Sequence, residues 1–214
     1  MNRLRIRFKK GAEVKYISHL DMIRAWIRAF RRAGIEMAYS EGFNPHPRIS
    51  LAVPLATGIT SDAELMDIYV NDTIPPYNFT EAVNRQIPAG MEILNTFQVD
   101  IGLPALPAQV ISAEYMVEAA AEEGEDYLGQ ALTSMLAKQQ LPWQHERDTG
   151  VKRYDLRPLI EDLWLESCDE GIARIGMRLA CDNRGTGRPE QVIRALGFAP
   201  PLSIHRTKLI LKTS

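Results

Sequence analysis

In the stretch SEGFNPHPRIS, residues 40 to 50, Asn44, His46 and Arg48 are the side chains able to grip an anion or move a proton. Pro45 and Pro47 fix two φ angles and bias Asn44 and His46 toward extended backbone, so the turn is stiff and its polar groups point in set directions. Three roles fit such a turn: an ordered corner in which His46 caps backbone groups, a ligand-binding loop, or a proton-transfer centre on an imidazole that titrates near neutrality. General acid or base work needs a substrate atom within hydrogen-bond reach and usually an orienting group. His19 and Asp21 of SHLD, residues 18 to 21, could supply one only if folding brings them close, and H-x-D at a helix start also suits capping. The chain is therefore read as non-catalytic, with His46 and His19 as the candidates should chemistry reside here.

Charge gives the second signal. The chain has 25 Lys or Arg against 27 Asp or Glu, a net charge of -2. Residues 1 to 50 hold eleven basic against four acidic groups, or +7, and the other 164 hold fourteen against twenty-three, or -9. Such an asymmetry suits one basic patch aimed at an anionic partner. Arg24, Arg28, Arg31 and Arg32 fall within a sector of about 100° if residues 18 to 33 are helical. Four guanidiniums on one sector repel each other unless solvent, acids or phosphates lie against them, and the planar fork of arginine matches phosphate. Arg3, Arg5 and Arg7 alternate along RLRIRF, Lys9, Lys10 and Lys15 follow, and Arg48 joins them from the turn. Together these groups form a candidate surface for an anion, with RNA as the partner considered first. With Phe, Tyr and Trp at only 7%, no base-stacking pattern is visible, and shape and backbone contacts are the expected mode.

The elements that must position these residues are legible in the periodicity. RLRIRF reads as a half-buried strand with Leu4, Ile6 and Phe8 inward and a basic outer face. SHLDMIRAWIRAFRRAGI reads as a helix from a Ser18 cap to a Gly34 stop, with Leu20, Ile23, Ile27 and Phe30 as its buried stripe. Strands are expected at 36–40, 49–55 and 65–70, with PLATGITSDAE as a turn; a helix follows at 78–86 and a strand at 91–99. DIGLPALPAQ reads as a connector, so the chain divides into residues 1–104 and 105–214. The second part repeats the order: strand 112–119, helix 123–139, strands 143–147, 151–157 and 172–180, helix 189–197 and strand 202–211. The fold class is α+β, two tandem ferredoxin-like halves with mainly antiparallel sheets. In RYDLRP, Asp155 is flanked by Arg153 and Arg157 on an expected strand, which reads as an interface or intrasheet ion pair, and Trp26, Trp143 and Trp164 read as core or interface anchors.

Residues 16 to 68 resemble the radical-SAM-associated domain of unknown function found in bacteria. The resemblance is carried by SHLD, by RAFRRAGI at 28 to 35, by SEGFNPHPRIS and by ATGITSDAELMDI at 56 to 68. KRYDLRPLI at 152 to 160 and GRPEQVIRALG at 187 to 197 extend it over most of the chain. It implies a radical SAM protein as partner. Cys168 and Cys181 cannot supply the three ligands of an iron-sulfur cluster, so radical chemistry would belong to that other chain, and neither cofactor nor metal is expected here. RGTGRPE at 184 to 190 lacks the Lys of a phosphate loop and reads as a strand-to-helix turn. With charges where a secretion signal needs an apolar core and no membrane-length apolar run, the expected location is the cytoplasm.

The reading is thus an accessory module holding structured RNA through Arg24, Arg28, Arg31, Arg32, Asn44, His46 and Arg48 for a radical SAM partner. The alternatives are a metal-independent endoribonuclease of the paired ferredoxin-like type, with His46 essential, and a protein-interaction scaffold without nucleic acid.

Overall fold

The computed structural model describes residues 1–122, 124–147 and 150–212, which form eleven strands and five α-helices in two compact units. The first unit comprises Met1–Val110 and the segment that starts at Leu211; the second comprises Ile111–Ile210.

In the first unit the chain runs β1 (Asn2–Lys10), α1 (His19–Arg32), β2 (Ile49–Leu51), β3 (Thr60–Val70), α2 (Pro76–Asn84) and β4 (Met91–Val99). β1 pairs antiparallel with both β3 and β4, and β2 pairs antiparallel with β3. Leu4, Ile6 and Phe8 of β1 are fully buried, as their period-2 spacing requires. Across them Phe8, Trp26, Phe30 and Phe79 form a chain of ring contacts with centroids 5.0, 5.6 and 5.8 Å apart. That chain orients α1 differently from its expected stripe. Met22, Trp26, Ala29 and Phe30 are buried, while Leu20 is 64% exposed. An indole removes more apolar surface from water than a leucine does, so the turn of the helix follows Trp26.

The other face of β1 departs further from expectation. Arg3 and Arg5 are buried, 1% and 8% exposed, and do not lie on a basic surface. Asp67 of β3, directly opposite Arg5, accepts from Arg3 at 2.6 Å and from Arg5 at 2.7 Å. The remaining Arg3 donors go to the carbonyls of Leu103 (2.7 Å) and Pro104 (2.8 Å), and Arg5 reaches Gln109 Oε1. Lys10 is also buried, its ammonium donating to the Lys15 carbonyl. Only Arg7 of the three strand arginines is exposed. β3 begins at Thr60, so TSDAE is strand rather than turn; its polar Ser61 and Glu64 are themselves buried, which hides the strand from a reading by hydrophobicity. The unit ends beyond the expected cut at 104/105, because Leu106–Gln109 closes as a short helix, α3, with Leu106 buried.

The second unit runs β5 (Val110–Ala120), α4 (Glu125–Ala137), a hairpin of β6 (Pro142–Arg147) and β7 (Gly150–Asp155), then β8 (Ile160–Asp169), β9 (Ile172–Asp182), β10 (Gly185–Thr186), α5 (Pro189–Ala195) and β11 (Ser203–Leu211). The expected helix start at residue 123 lies outside the described residues. β9 pairs with β8, β5 and β10, and β5 also neighbours β11. If the hairpin and β10 are set aside, the pairing path β11–β5–β9–β8 matches β4–β1–β3–β2 of the first unit. β8 escaped the sequence reading because two register shifts, at Ile160/Asp162 and Leu165/Ser167, break its period of two. Opposite Trp164, position 176 must be glycine: a Cβ there would sit 2.0 Å from the indole.

RYDLRP is structural, and not as expected. β7 stops at Asp155, whose carboxylate accepts from the amides of Leu141 and Arg157. Arg157 sits in a 3-10 turn and donates to the carbonyls of Leu136 and Lys138, closing the C-terminal end of α4. Asp67→Ala leaves two buried guanidiniums without their anion, and should cost roughly 3–5 kcal/mol in urea unfolding. Replacing Arg3, Arg5 and Asp67 together by Met, Met and Leu should recover most of it; an Asp67→Ala protein of unchanged stability would contradict the assignment. Burial pushes the Cys181 thiol up to about 11, so a thiol reagent at pH 8 should label half-buried Cys168 first and Cys181 only on unfolding. Equal labelling rates in the native protein would refute this.

Candidate functional site

The site is built on the start of α1. Ser18 caps it in extended backbone: its hydroxyl accepts from the Asp21 amide at 3.1 Å and donates to Asp21 Oδ2 at 2.7 Å. Arg24 donates to the other carboxylate oxygen at 3.1 Å. The Ser18 hydroxyl first, and Arg24 second, hold the Asp21 carboxyl below its ordinary value of 3.8. Asp21 is thereby committed to the cap, and His19 stands exposed at the first helical position.

Arg24, Arg28, Arg31 and Arg32 are all exposed along one side of the helix. Arg24 makes the only ion pair of the four among the described residues. Arg31 donates to the Tyr39 hydroxyl at 3.2 Å and Arg32 to the Gln86 carbonyl, both neutral acceptors that leave the charge standing. Arg28 makes no hydrogen bond among the described residues. In the second unit three arginines meet carboxylates, Arg178 with Glu114 at 2.7 Å, Arg184 with Glu161 at 2.7 Å and with Asp182 at 3.0 Å, and Arg174 with Glu118 at 3.8 Å, while Arg153 donates to Gln144 Oε1 and Arg157 to backbone carbonyls.

The proline turn closes on itself beside the helix. Ser40 N–H donates to the His46 carbonyl at 2.8 Å, His46 N–H donates to Ser40 Oγ at 3.0 Å, and Tyr39 bridges to Pro47. Glu41, Gly42, Phe43, Asn44, Pro45 and His46 are all exposed. The side chains of Asn44 and His46 have no hydrogen-bond partner among the described residues, and no hydrogen bond joins His46 to His19 or to Asp21. The orienting group that proton transfer from His46 would call for is not supplied by that pair. Arg48 lies over the Tyr69 ring, 4.3 Å from its centroid, and is held between two backbone bonds, one to Ala38 and one to Tyr69.

The Arg31–Tyr39 bond therefore brings the helix face and the base of the turn together, and Arg48 follows that turn in the chain. The sequence reading missed the aromatic part of this region. Phe43 is completely exposed and Tyr39 43% exposed. The available signal was an apolar residue set between Gly42 and Asn44, in a polar turn with no periodic face to bury it.

Among the described residues no group of three or more His, Cys, Asp or Glu side chains could hold a metal ion, and no helix is long and apolar enough to cross a membrane. Ser18→Ala should cost about 1 kcal/mol by removing the cap. Because the folded pKa of Asp21 is depressed, its contribution is present above the ordinary carboxylate value and lost as pH falls through the folded one. The stability gap between the wild type and Asp21→Asn should thus be present at neutral pH and close as pH falls below the ordinary carboxylate range; a gap that persists in acid would contradict this.

Comparison with known proteins adds fold and family. No curated protein matches the chain. Among solved structures, a chain in the crystal structure of a Cbf5-Nop10-Gar1 complex shares the fold, with a TM-score of 0.54 and 9% identity over 96% of this chain. This chain spans about half of that one, 48% of its length. A family model described as "uncharacterized protein conserved in bacteria (DUF2344)" matches residues 3–189, and the chain belongs to that bacterial family.

Proposed function

We propose that the chain is a non-catalytic accessory module that holds structured RNA on its first unit for a radical SAM partner protein. The observation that carries this reading is the clustering of Arg24, Arg28, Arg31 and Arg32, all exposed, on one side of α1. In the second unit Arg174, Arg178 and Arg184 are each paired with carboxylates, while Arg28, Arg31 and Arg32 of α1 keep their charge in solvent. Guanidiniums presented on one helix side suit a run of phosphates, and Arg48 adds a further fork held in place by Tyr69. Asn44 and His46 supply directional hydrogen bonds from the neighbouring turn.

The radical SAM partner is inferred from the resemblance of SHLD, RAFRRAGI, SEGFNPHPRIS and ATGITSDAELMDI. We read both units as ferredoxin-like, supported by the strand-pairing path they have in common. The exposed His46, without an orienting partner, gives no support to the endoribonuclease reading.

The test is binding of a structured RNA across a salt series, with Arg24, Arg28, Arg31 and Arg32 changed together to Gln. Wild-type affinity should fall linearly on a log–log plot, and the variant should bind more weakly, with a slope shallower by about 1 for each phosphate that it no longer neutralises. Salt-insensitive binding, or equal slopes in the two proteins, would overturn the proposal.

A further inference from the structure

We infer that Phe43 stacks on an unpaired base, so that the RNA held by the first unit is single-stranded or looped where it meets the turn. This rests on the phosphate-holding reading above and specifies its substrate.

Phe43 sits at the tip of a loop closed at its base by two hydrogen bonds and the Tyr39–Pro47 bridge. Gly42, with φ at +116°, takes a backbone conformation that a side chain would resist, and so turns the chain just before Phe43. Pro45 stiffens the descending side. The loop is thus organised before any partner arrives, and little conformational freedom remains to be lost on binding. A large apolar ring is nevertheless left wholly in water, with Glu41 to His46 all exposed around it and none able to bury it.

The surroundings indicate the occupant. Tyr39 offers a second exposed ring at the loop base, tied to Arg31, and Arg48 follows the loop; Glu41 is the one acid between residues 37 and 48. An aromatic tip within cationic surroundings suits a polymer that alternates π-faces with phosphates. A continuous A-form duplex keeps its bases stacked on each other and its major groove too narrow for side chains, so the ring has access only where a base is splayed out.

The experiment compares a hairpin RNA with an unpaired loop and a blunt duplex of equal length, using wild type, Phe43→Ala, Phe43→Trp and the four-arginine variant. A 2-aminopurine in the loop reports stacking directly. Wild type should prefer the hairpin by about tenfold, Phe43→Ala should lose most of that preference and the fluorescence quenching with an unchanged salt slope, and Phe43→Trp should restore both. RNA binding that depends on the arginines but is indifferent to Phe43 and to the loop would overturn the stacking inference alone. Failure of the wild type to bind either RNA would remove the reading on which it rests. Loss of a captured protein in Phe43→Ala, with RNA binding intact, would assign the ring to protein docking and overturn stacking.

Discussion

One carboxylate with two guanidiniums fixes the first unit. Asp67 is wholly enclosed, and both of its oxygens are taken by Arg3 and Arg5. Removing three charges from water is costly, and attraction offsets that cost only when the remaining donors are also satisfied. The connector meets this condition: carbonyls of Leu103 and Pro104 and the side-chain oxygen of Gln109 accept what Asp67 does not. The same hydrogen bonds hold residues 103–109 against β1 and β3, while the opposite face of β1 carries the aromatic chain that seats α1. The strand thus binds charge on one side and rings on the other, with helix orientation set by the second.

This division changes what the basic half of the sequence means. Of its surplus of positive groups, Arg3, Arg5 and Lys10 are held inside the fold, and their alternation says nothing about a partner. The charge that remains outward is concentrated on α1 and around the proline turn. A smaller and better-defined surface results, organised by the Arg31–Tyr39 bond and the stacking of Arg48 on Tyr69.

Much of this was legible in the chain. The Ser18 cap, the Gly34 stop, the strands at both ends of each unit and the Pro189 helix start follow from local chemistry, and all are present. What escaped notice depended on partners distant in sequence. Buried Arg3 and Arg5 look the same as exposed ones until Asp67 is brought opposite, and polar Ser61 and Glu64 disguise a strand as a turn. The stripe of α1 was misread because Trp26 outweighs Leu20 only once Phe8 and Phe30 are known to flank it. Arg157 was placed on a strand for want of any sign that the last carbonyls of α4 would need it. Phe43 was visible in the sequence, but only the fold shows that nothing in its turn buries the ring.

The central claim is that RNA lies along α1 and the proline turn. Ultraviolet crosslinking of the chain to RNA from its native cell, followed by mass spectrometry of the nucleotide-bearing peptides, tests it most directly. The account predicts adducts on Phe43 and Tyr39 and on peptides from α1. Adducts confined to residues 111–210, or a chain that crosslinks to no RNA, would contradict it.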